Sequence, residues 1–210
     1  FVNKMDRIGA DFKRCVSMMV ERFGAHCVAA QLPIGAENEF EGIIDLVRET
    51  SIVWPDADDP RAMVEGPIPE SMREEAEEAR EALLERLADV DDDFAMAYLE
   101  DSDALEVETI LDAIRAAVLR GELVPVLCGT ALRNKGVQPL LDAIVRWLPS
   151  PDDIEDVTGT TPDGEGTETR ASDPKAAMSA LAYKVAIMED GRRMVFMRLY
   201  SGTLESGQAV

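Results

Sequence analysis

The sequence predicts an α/β fold with an α+β region in its middle, followed by an all-β part. Three observations carry this reading. Residues 123–128 (Leu-Val-Pro-Val-Leu-Cys) form a continuous apolar run between two helical patterns, as a buried parallel strand does. Between 39 and 122, short strand-like segments give way to three helical patterns. Beyond a stretch rich in Asp, Gly, Thr and Pro, residues 150–174, the pattern turns to strands alone.

The elements follow in order. Residues 1–6 read as the end of a buried strand and a loop. Residues 11–23 read as a helix with Asp11 as N-cap, with Phe12, Cys15, Val16, Met19 and Phe23 on one face and Gly24 as its stop. Residues 27–34 read as one strand. Residues 39–47 and 51–54 add two more, with turns at 35–38 and near Glu49-Thr50, and Gly42 marks a bulge or a close backbone approach. Residues 55–69, rich in Pro and Asp, read as a loop.

Three helices follow. The first, about 71–88, starts on a Ser71/Glu74 capping-box pattern and buries Met72, Ala76, Ala79, Leu83 and Leu87. The second follows Asp91-Asp92-Asp93, with Phe94, Tyr98 and Leu99 inward. The third, about 105–120, turns Val107, Ile110, Leu111, Ile114 and Val118 inward and stops at Gly121. Pro125 cannot donate to a ladder, which counts against a strand at 123–128. Val137, Leu140, Leu141, Ile144 and Leu148 then give an amphipathic helix, ended by Pro149-Ser150-Pro151. Residues 151–174 are expected to be a linker, and residues 175–210 to be strands and tight turns, all-β.

The net charge is −21. Its distribution says more than its size. Residues 56–122 carry −16 and residues 150–174 carry −7, leaving the rest near neutral. The acidic block argues against DNA and for a basic partner, although acidic helices also serve simply as soluble surfaces. Cys15, Cys27 and Cys128 are too few and too scattered for a disulfide framework or zinc site, and they read as buried thiols in a reducing cytoplasm. His26 is the sole histidine and reads as structural, so no nucleophilic triad assembles. No apolar run is long enough to span a membrane. The first residue is Phe1, so the lack of a targeting segment argues nothing.

Two loops carry the functional signal. In Asn3-Lys4-Met5-Asp6, an ionised Asp6 can accept both adjacent donors of guanine, the ring N–H and the exocyclic amino group. Adenine lacks that pair, and the mismatch can discriminate by roughly four to five orders of magnitude. Asn3 can pin the loop and reach the other ring edge, and the Lys4 stem can lie over the base. The second loop, Gly129-Thr130-Ala131, lies between a strand and a helix, where open α/β sheets bind ligands. There the Ala131 N–H is the candidate donor to the guanine carbonyl oxygen, and the Thr130 hydroxyl can brace Asp6. Each loop alone is also compatible with an ordinary turn.

Together the loops resemble the Asn-Lys-x-Asp and Ser-Ala-Lys/Leu base motifs of P-loop GTPases. More than a hundred residues separate them, an insertion that points to a narrower family. Residues 1–7 (Phe-Val-Asn-Lys-Met-Asp-Arg), 31–37 (Gln-Leu-Pro-Ile-Gly-Ala-Glu), 40–46 (Phe-Glu-Gly-Ile-Ile-Asp-Leu), 134–138 (Asn-Lys-Gly-Val-Gln), 148–151 (Leu-Pro-Ser-Pro) and 200–204 (Tyr-Ser-Gly-Thr-Leu) look like bacterial translation elongation factor G. The resemblance covers nearly the whole chain. It implies an internal segment of such a factor. Residues 1–30 and 123–150 would be the C-terminal part of the GTP-binding domain, 31–122 its inserted α+β subdomain, and 175–210 a truncated second domain, the start of an all-β barrel. It further implies GTP/GDP as cofactor, a cytoplasmic setting and the ribosome as partner. The basic C-terminal domain of the stalk protein would meet an acidic face at Glu74, Glu75, Glu78 and Glu81, and the barrel would approach rRNA. Thr130 stands where the family has Ser and keeps the hydroxyl. Residues 188–193 (Met-Glu-Asp-Gly-Arg-Arg) replace a common Asp-Pro and later Gly.

The sequence contains no Gly-x-x-x-x-Gly-Lys-Ser/Thr phosphate loop, so the Mg²⁺ implied for the full-length factor has no ligands in this chain. Asp6-Arg7-Ile8-Gly9 matches a switch motif by letters, but it follows the base motif instead of preceding it. The full protein is expected to couple GTP hydrolysis to translocation of tRNA and mRNA. This chain carries no catalytic residue and is not expected to hydrolyse GTP. A ribosome-recycling paralogue, or an acidic interaction module without a nucleotide role, remain as alternatives.

Overall fold

Asp11 opens the first helix. Its carboxylate accepts from the Arg14 N–H at 2.9 Å, satisfying one of the donors that a helix N-terminus leaves free. Helix α1 (Phe12–Phe23) ends at Gly24, whose left-handed backbone lets its N–H return to the Val20 carbonyl. Phe12 is buried and Val16 and Met19 pack on the core, but Phe23, expected on the same face, is 79% exposed. The core therefore covers the first turns of the helix and not the last. The computed structural model describes residues 1–55, 62–161 and 163–208, and these divide into two compact units, 1–148 and 149–210.

The run 27–34, expected as one strand, forms two. Strand β1 (Cys27–Ala29) pairs in parallel with residues 124–126. Strand β2 (Gln31–Ile34) joins a separate antiparallel sheet. Ala30 divides them: its N–H donates to Val126 O at 3.0 Å, while its carbonyl accepts from Leu46 N at 3.1 Å. One residue bonded to two different sheets cannot continue either ladder, which is why apolar content alone did not locate the break.

Strands β3 (Gly42–Asp45), β4 (Thr50–Val53) and β5 (Val64–Pro67) complete that sheet in the order β2-β3-β4-β5, antiparallel throughout. Ile43 and Ile44 are neighbours on opposite faces and both fully buried, so both faces are covered at this point. Strand β5 corrects the expectation of a loop over 55–69; residues 56–61 of that stretch lie outside the described residues. Pairing with β4, from Thr50↔Pro67 to Val53↔Val64, orders a segment whose composition favours turns. Between β3 and β4, the Asp45 carboxylate accepts from the amides of Val47 and Arg48 and from the Arg48 guanidinium, an Asx-type turn.

Helices α2 (Arg73–Ala88), α3 (Asp92–Glu100) and α4 (Val107–Leu119) follow. The Ser71/Glu74 capping box is not formed. Residues 70–72 make a 3₁₀ turn that places Met72 at the N-cap with no side-chain cap bond. The expected stripe otherwise faces inward: Ala76, Leu83 and Leu87 are buried, and Met72 and Ala79 pack against them. Arg80, on the next face, donates to the carbonyls of Leu46 and Val47 at 2.6 and 3.0 Å and ties α2 to the β3–β4 turn. Asp91 caps α3 by accepting from Phe94 N. Leu99, expected inward, is 82% exposed, because α3 buries only the row through Phe94 and Tyr98. Val107 is likewise exposed at the first turn of α4, whereas Ile110, Leu111 and Ile114 are buried and Val118 packs on the core.

Strand β6 (Val124–Val126) lies beside β1, and Val2 bridges to Cys128 on its other side, also in parallel. Val124 and Val126 bond to the β1 side, so Pro125, between them, directs its ring nitrogen away from β1 and breaks no bond of that ladder. Of the three cysteines expected to be buried, only Cys128 is; Cys15 and Cys27 are partly exposed, and burial pushes the Cys128 thiol up to about 12 and also raises Cys27. His26 is exposed, not enclosed between core segments; its carbonyl accepts from Val124 N and its Nδ1 lies against Arg86. Helix α5 (Val137–Trp147) closes the first unit with Trp147 buried, while Leu141, Ile144 and Leu148 of its expected apolar face remain exposed.

The second unit holds two hairpins. Strands β7 (Val157–Thr160) and β8 (Thr167–Arg170) pair within the stretch read as a linker. Here Thr161 closes the turn by accepting from Gly166 N, and paired Thr158 and Thr169 hydroxyls stabilise a polar ladder that no hydrophobic pattern announces. Strands β9 (Ser179–Ile187) and β10 (Arg193–Ser201) pair over nearly their full length with two register shifts. Their connection is closed by Met188 N on Arg192 O and by Asp190, which accepts from the Arg192 amide and guanidinium.

Gly42 is a point of close backbone approach. A Cβ there would fall 2.2 Å from the Ile52 carbonyl oxygen of the neighbouring strand. Gly42→Ala is expected to lower stability by roughly 1–3 kcal/mol, the usual range for overpacking. Chemical denaturation checks this; an unchanged midpoint would mean that the strands separate without penalty.

Candidate functional site

Parallel pairing sets the site. Val2 N donates to Leu127 O at 2.8 Å and Gly129 N to Val2 O at 3.1 Å, so the segments ending at Val2 and Cys128 run side by side. Their following loops, 3–9 and 129–136, emerge together from the carboxyl ends of neighbouring strands, where sheets of this class bind ligands. Met5, fully buried, anchors the first loop, and its N–H donates to Gly129 O at 3.1 Å.

Asn3 crosses between the loops. Its Oδ1 accepts from Lys4 N at 2.8 Å and from Ala131 N at 3.0 Å. Lys4 adopts a left-handed backbone, φ 65, an uncommon conformation for a residue with a Cβ, and its side chain is exposed. The structure thus places the Ala131 N–H on Asn3, where the sequence had pointed it at a base carbonyl.

Asp6 is the electrostatic centre. The Thr130 hydroxyl donates to its Oδ1 at 2.7 Å and the Arg133 Nε to its Oδ2 at 3.0 Å. The Thr130 hydrogen bond is the largest influence on the carboxyl. Partial burial opposes it, the Arg133 bond and charge reinforce it, and the net effect holds Asp6 below the ordinary aspartate range. Thr130 is almost wholly buried and its own amide and carbonyl bond to Lys135, which closes 130–135 into a rigid loop. Gly129 and Gly136 permit this closure; a Cβ on Gly129 would lie 2.5 Å from Lys135 O, and one on Gly136 2.6 Å from Cys128 O.

The turn between β2 and β3 supports both loops. Glu37 N donates to Met5 O at 2.8 Å and the Glu37 carboxylate accepts from Gly9 N at 2.7 Å. Lys135 Nζ donates to Phe40 O at 3.0 Å. A cleft beside Asp6 is walled by Arg7, Ile8, Asn38, Leu132 and Arg133. Sequence reasoning missed Arg133, Glu37 and Lys135. None has a spacing signal, because each acts through a loop contact between distant parts of the chain. Leu132 and Ile8 give an apolar cue, as large exposed side chains in loops.

The acidic residues lie elsewhere. Glu74, Glu78 and Glu81 are exposed on α2, with Glu85 continuing the same row. Glu75 is half-buried and pairs with Lys13 of α1 at 2.7 Å, so it faces this chain's own surface. Among the described residues no cluster of three His, Cys, Asp or Glu can hold a metal ion. No described helix is long and apolar enough to cross a membrane.

Because the folded Asp6 value is depressed, its stabilising effect is present above the ordinary aspartate range and is lost as pH falls through the folded value. Thr130→Ala is expected to raise the Asp6 titration midpoint and so move that loss to higher pH. Carbon NMR of the Asp6 carboxyl measures the midpoint directly; an unmoved midpoint would assign the depression to Arg133 instead.

Comparison with known proteins identifies the family. The family model described as elongation factor Tu GTP binding domain matches residues 1–150. A curated relative, "Elongation factor G 2" of Syntrophus aciditrophicus (strain SB), is 44% identical over 208 residues, which is 99% of this chain and 30% of the relative. A crystal structure of a protein from Thermus thermophilus shares the fold, with a TM-score of 0.72 at 24% identity, over 99% of this chain and 28% of that one. The chain therefore spans about a third of the length of these relatives. It belongs to the elongation factor Tu GTP-binding domain family and is a homologue of elongation factor G.

Proposed function

We propose that the two loops recognise the guanine base of GTP and GDP, within a translational GTPase that couples hydrolysis to movement of tRNA and mRNA on the ribosome in the cytoplasm. The observation that carries this reading is the cross-link of the loops by Thr130 to Asp6 and by Asn3 to Ala131. Asp6 stays ionised and offers acceptors, as guanine's donor pair requires. The Ala131 N–H lies at the mouth of the same loop and can be shared between Asn3 and the base carbonyl in a three-centre bond. Asn3, with its oxygen engaged, presents its amide nitrogen as the remaining donor, and Lys4 supplies an exposed stem to cover the ring. These residues select a base and perform no chemistry. Phosphate binding, Mg²⁺ and water activation belong to other parts of such a factor.

In this reading residues 1–30 and 123–150 complete the GTP-binding domain and residues 31–122 form its inserted subdomain. Residues from about 175 begin a β-barrel that can approach rRNA. The exposed row Glu74, Glu78 and Glu81 meets the basic C-terminal domain of the ribosomal stalk protein. Glu75 contributes through Lys13, which it neutralises and holds in place.

In the full-length protein, Asp6→Asn is expected to turn preference from guanine toward xanthine nucleotides, because one acceptor becomes a donor. Competition between GTP and XTP measures the turn; unchanged selectivity removes Asp6 from base recognition. Reversing Glu74, Glu78 and Glu81 to Lys together is expected to weaken stalk-domain binding at least tenfold and to flatten its salt dependence, since like charges replace a screened attraction. Titration at low and high salt reads both effects, and an unaffected affinity places the partner surface elsewhere.

A further inference from the structure

We infer that Arg133 is a positioning residue for base discrimination: with Thr130 it fixes the plane of the Asp6 carboxylate, so that one lone pair on each oxygen faces the base. The inference rests on the guanine reading above and deepens it. An ionised carboxylate has about four lone-pair sites. The Thr130 hydroxyl takes one on Oδ1 and the Arg133 Nε one on Oδ2. Beyond these two side-chain donors one site per oxygen remains, which matches the two adjacent donors of guanine in number.

The geometry of the second loop makes Thr130 and Arg133 act as one body. Residues 131–133 form a 3₁₀ turn with Thr130 as its cap, and Arg133 N donates to Thr130 O at 3.1 Å. This backbone bond fixes the separation of two residues whose side chains reach opposite oxygens of the same carboxylate. Asn134, in the left-handed region at φ 54, ends the turn and returns the chain to Lys135. Held by Thr130 alone, the carboxylate is fixed at one oxygen and remains free to swing about its last side-chain bond, whose torsional preference is broad. Arg133 fixes the second oxygen. The Asp6 side chain is 13% exposed and that of Arg133 62%, so the guanidinium reaches in from solvent and leaves the inner loop undisturbed when removed.

The test compares GDP with inosine diphosphate, which lacks the exocyclic amino group, in the full-length protein. Arg133→Ala is expected to weaken GDP binding about two- to fivefold, the scale of an exposed ion pair, and to reduce the GDP-to-inosine-diphosphate ratio by a similar factor. Arg133→Lys, which keeps a donor for Oδ2, is expected to restore most of the ratio. A ratio left unchanged, whether both affinities fall together or neither moves, overturns the inference. Tighter GDP binding also overturns it, since Arg133 would then compete with the base. Xanthosine diphosphate binding to Asp6→Asn separates the two levels. If that variant does not turn toward xanthine, the guanine reading fails. If it does and the Arg133→Ala ratio stays, only the positioning role fails.

Discussion

The parallel contact between Val2 and the end of β6 is the constraint on which the site depends. Two backbone hydrogen bonds, Val2 to Leu127 and Gly129 to Val2, bring together loops separated by more than a hundred residues. Everything at the site follows from that adjacency. Asn3 reaches Ala131, Thr130 reaches Asp6, and Met5 fills the space beneath. The bonds between side chains are individually modest, about 0.5–1.5 kcal/mol for neutral partners and more for charged ones. Their value lies in holding four polar groups in one geometry before any ligand arrives, which is how a small site gains selectivity.

The long insertion between the loops is mechanically part of the site. Ala30 passes the chain from the parallel sheet to the antiparallel one within a single residue. Directly afterward, the β2–β3 turn leans back on both loops through Glu37 and Lys135. Arg80 then ties α2 to the next turn of the same sheet. A continuous run of packed and hydrogen-bonded elements therefore joins the acidic helix to the two cross-linked loops. Such continuity is a physical route for coupling, though coupling itself requires two arrangements that both ends bias.

Acidity has two distinct roles in this chain. On α2 the exposed glutamates remain in water, where each pair interaction is weak and only their summed field is sizeable. At Asp6 a single carboxylate is drawn partly out of water and matched by a hydroxyl and a guanidinium, so a local geometry replaces a field. Glu75 stands apart from the exposed row, since its carboxylate is paired with Lys13 of α1.

The sequence alone determined which donors and acceptors the two loops carry, because Asn, Asp and Thr bring them wherever they stand. It also determined α1, α4 and the strand at 124–126, since apolar periodicity and continuous apolar runs are local properties. Tertiary structure decided what local patterns cannot encode. Ala30 splits one apolar run because each side of its backbone bonds to a different sheet. Val64–Pro67 becomes a strand because β4 offers a free edge. The Ser71 cap is bypassed by a 3₁₀ turn, and Leu99 faces water because α3 buries only one narrow row. Arg133 and Glu37 join the site through contacts that close only once the chain has folded, and no spacing in the sequence records them. Motif chemistry is carried by residue identity and so is legible in advance; partner choice among groups distant in sequence is set by the packing that brings them together.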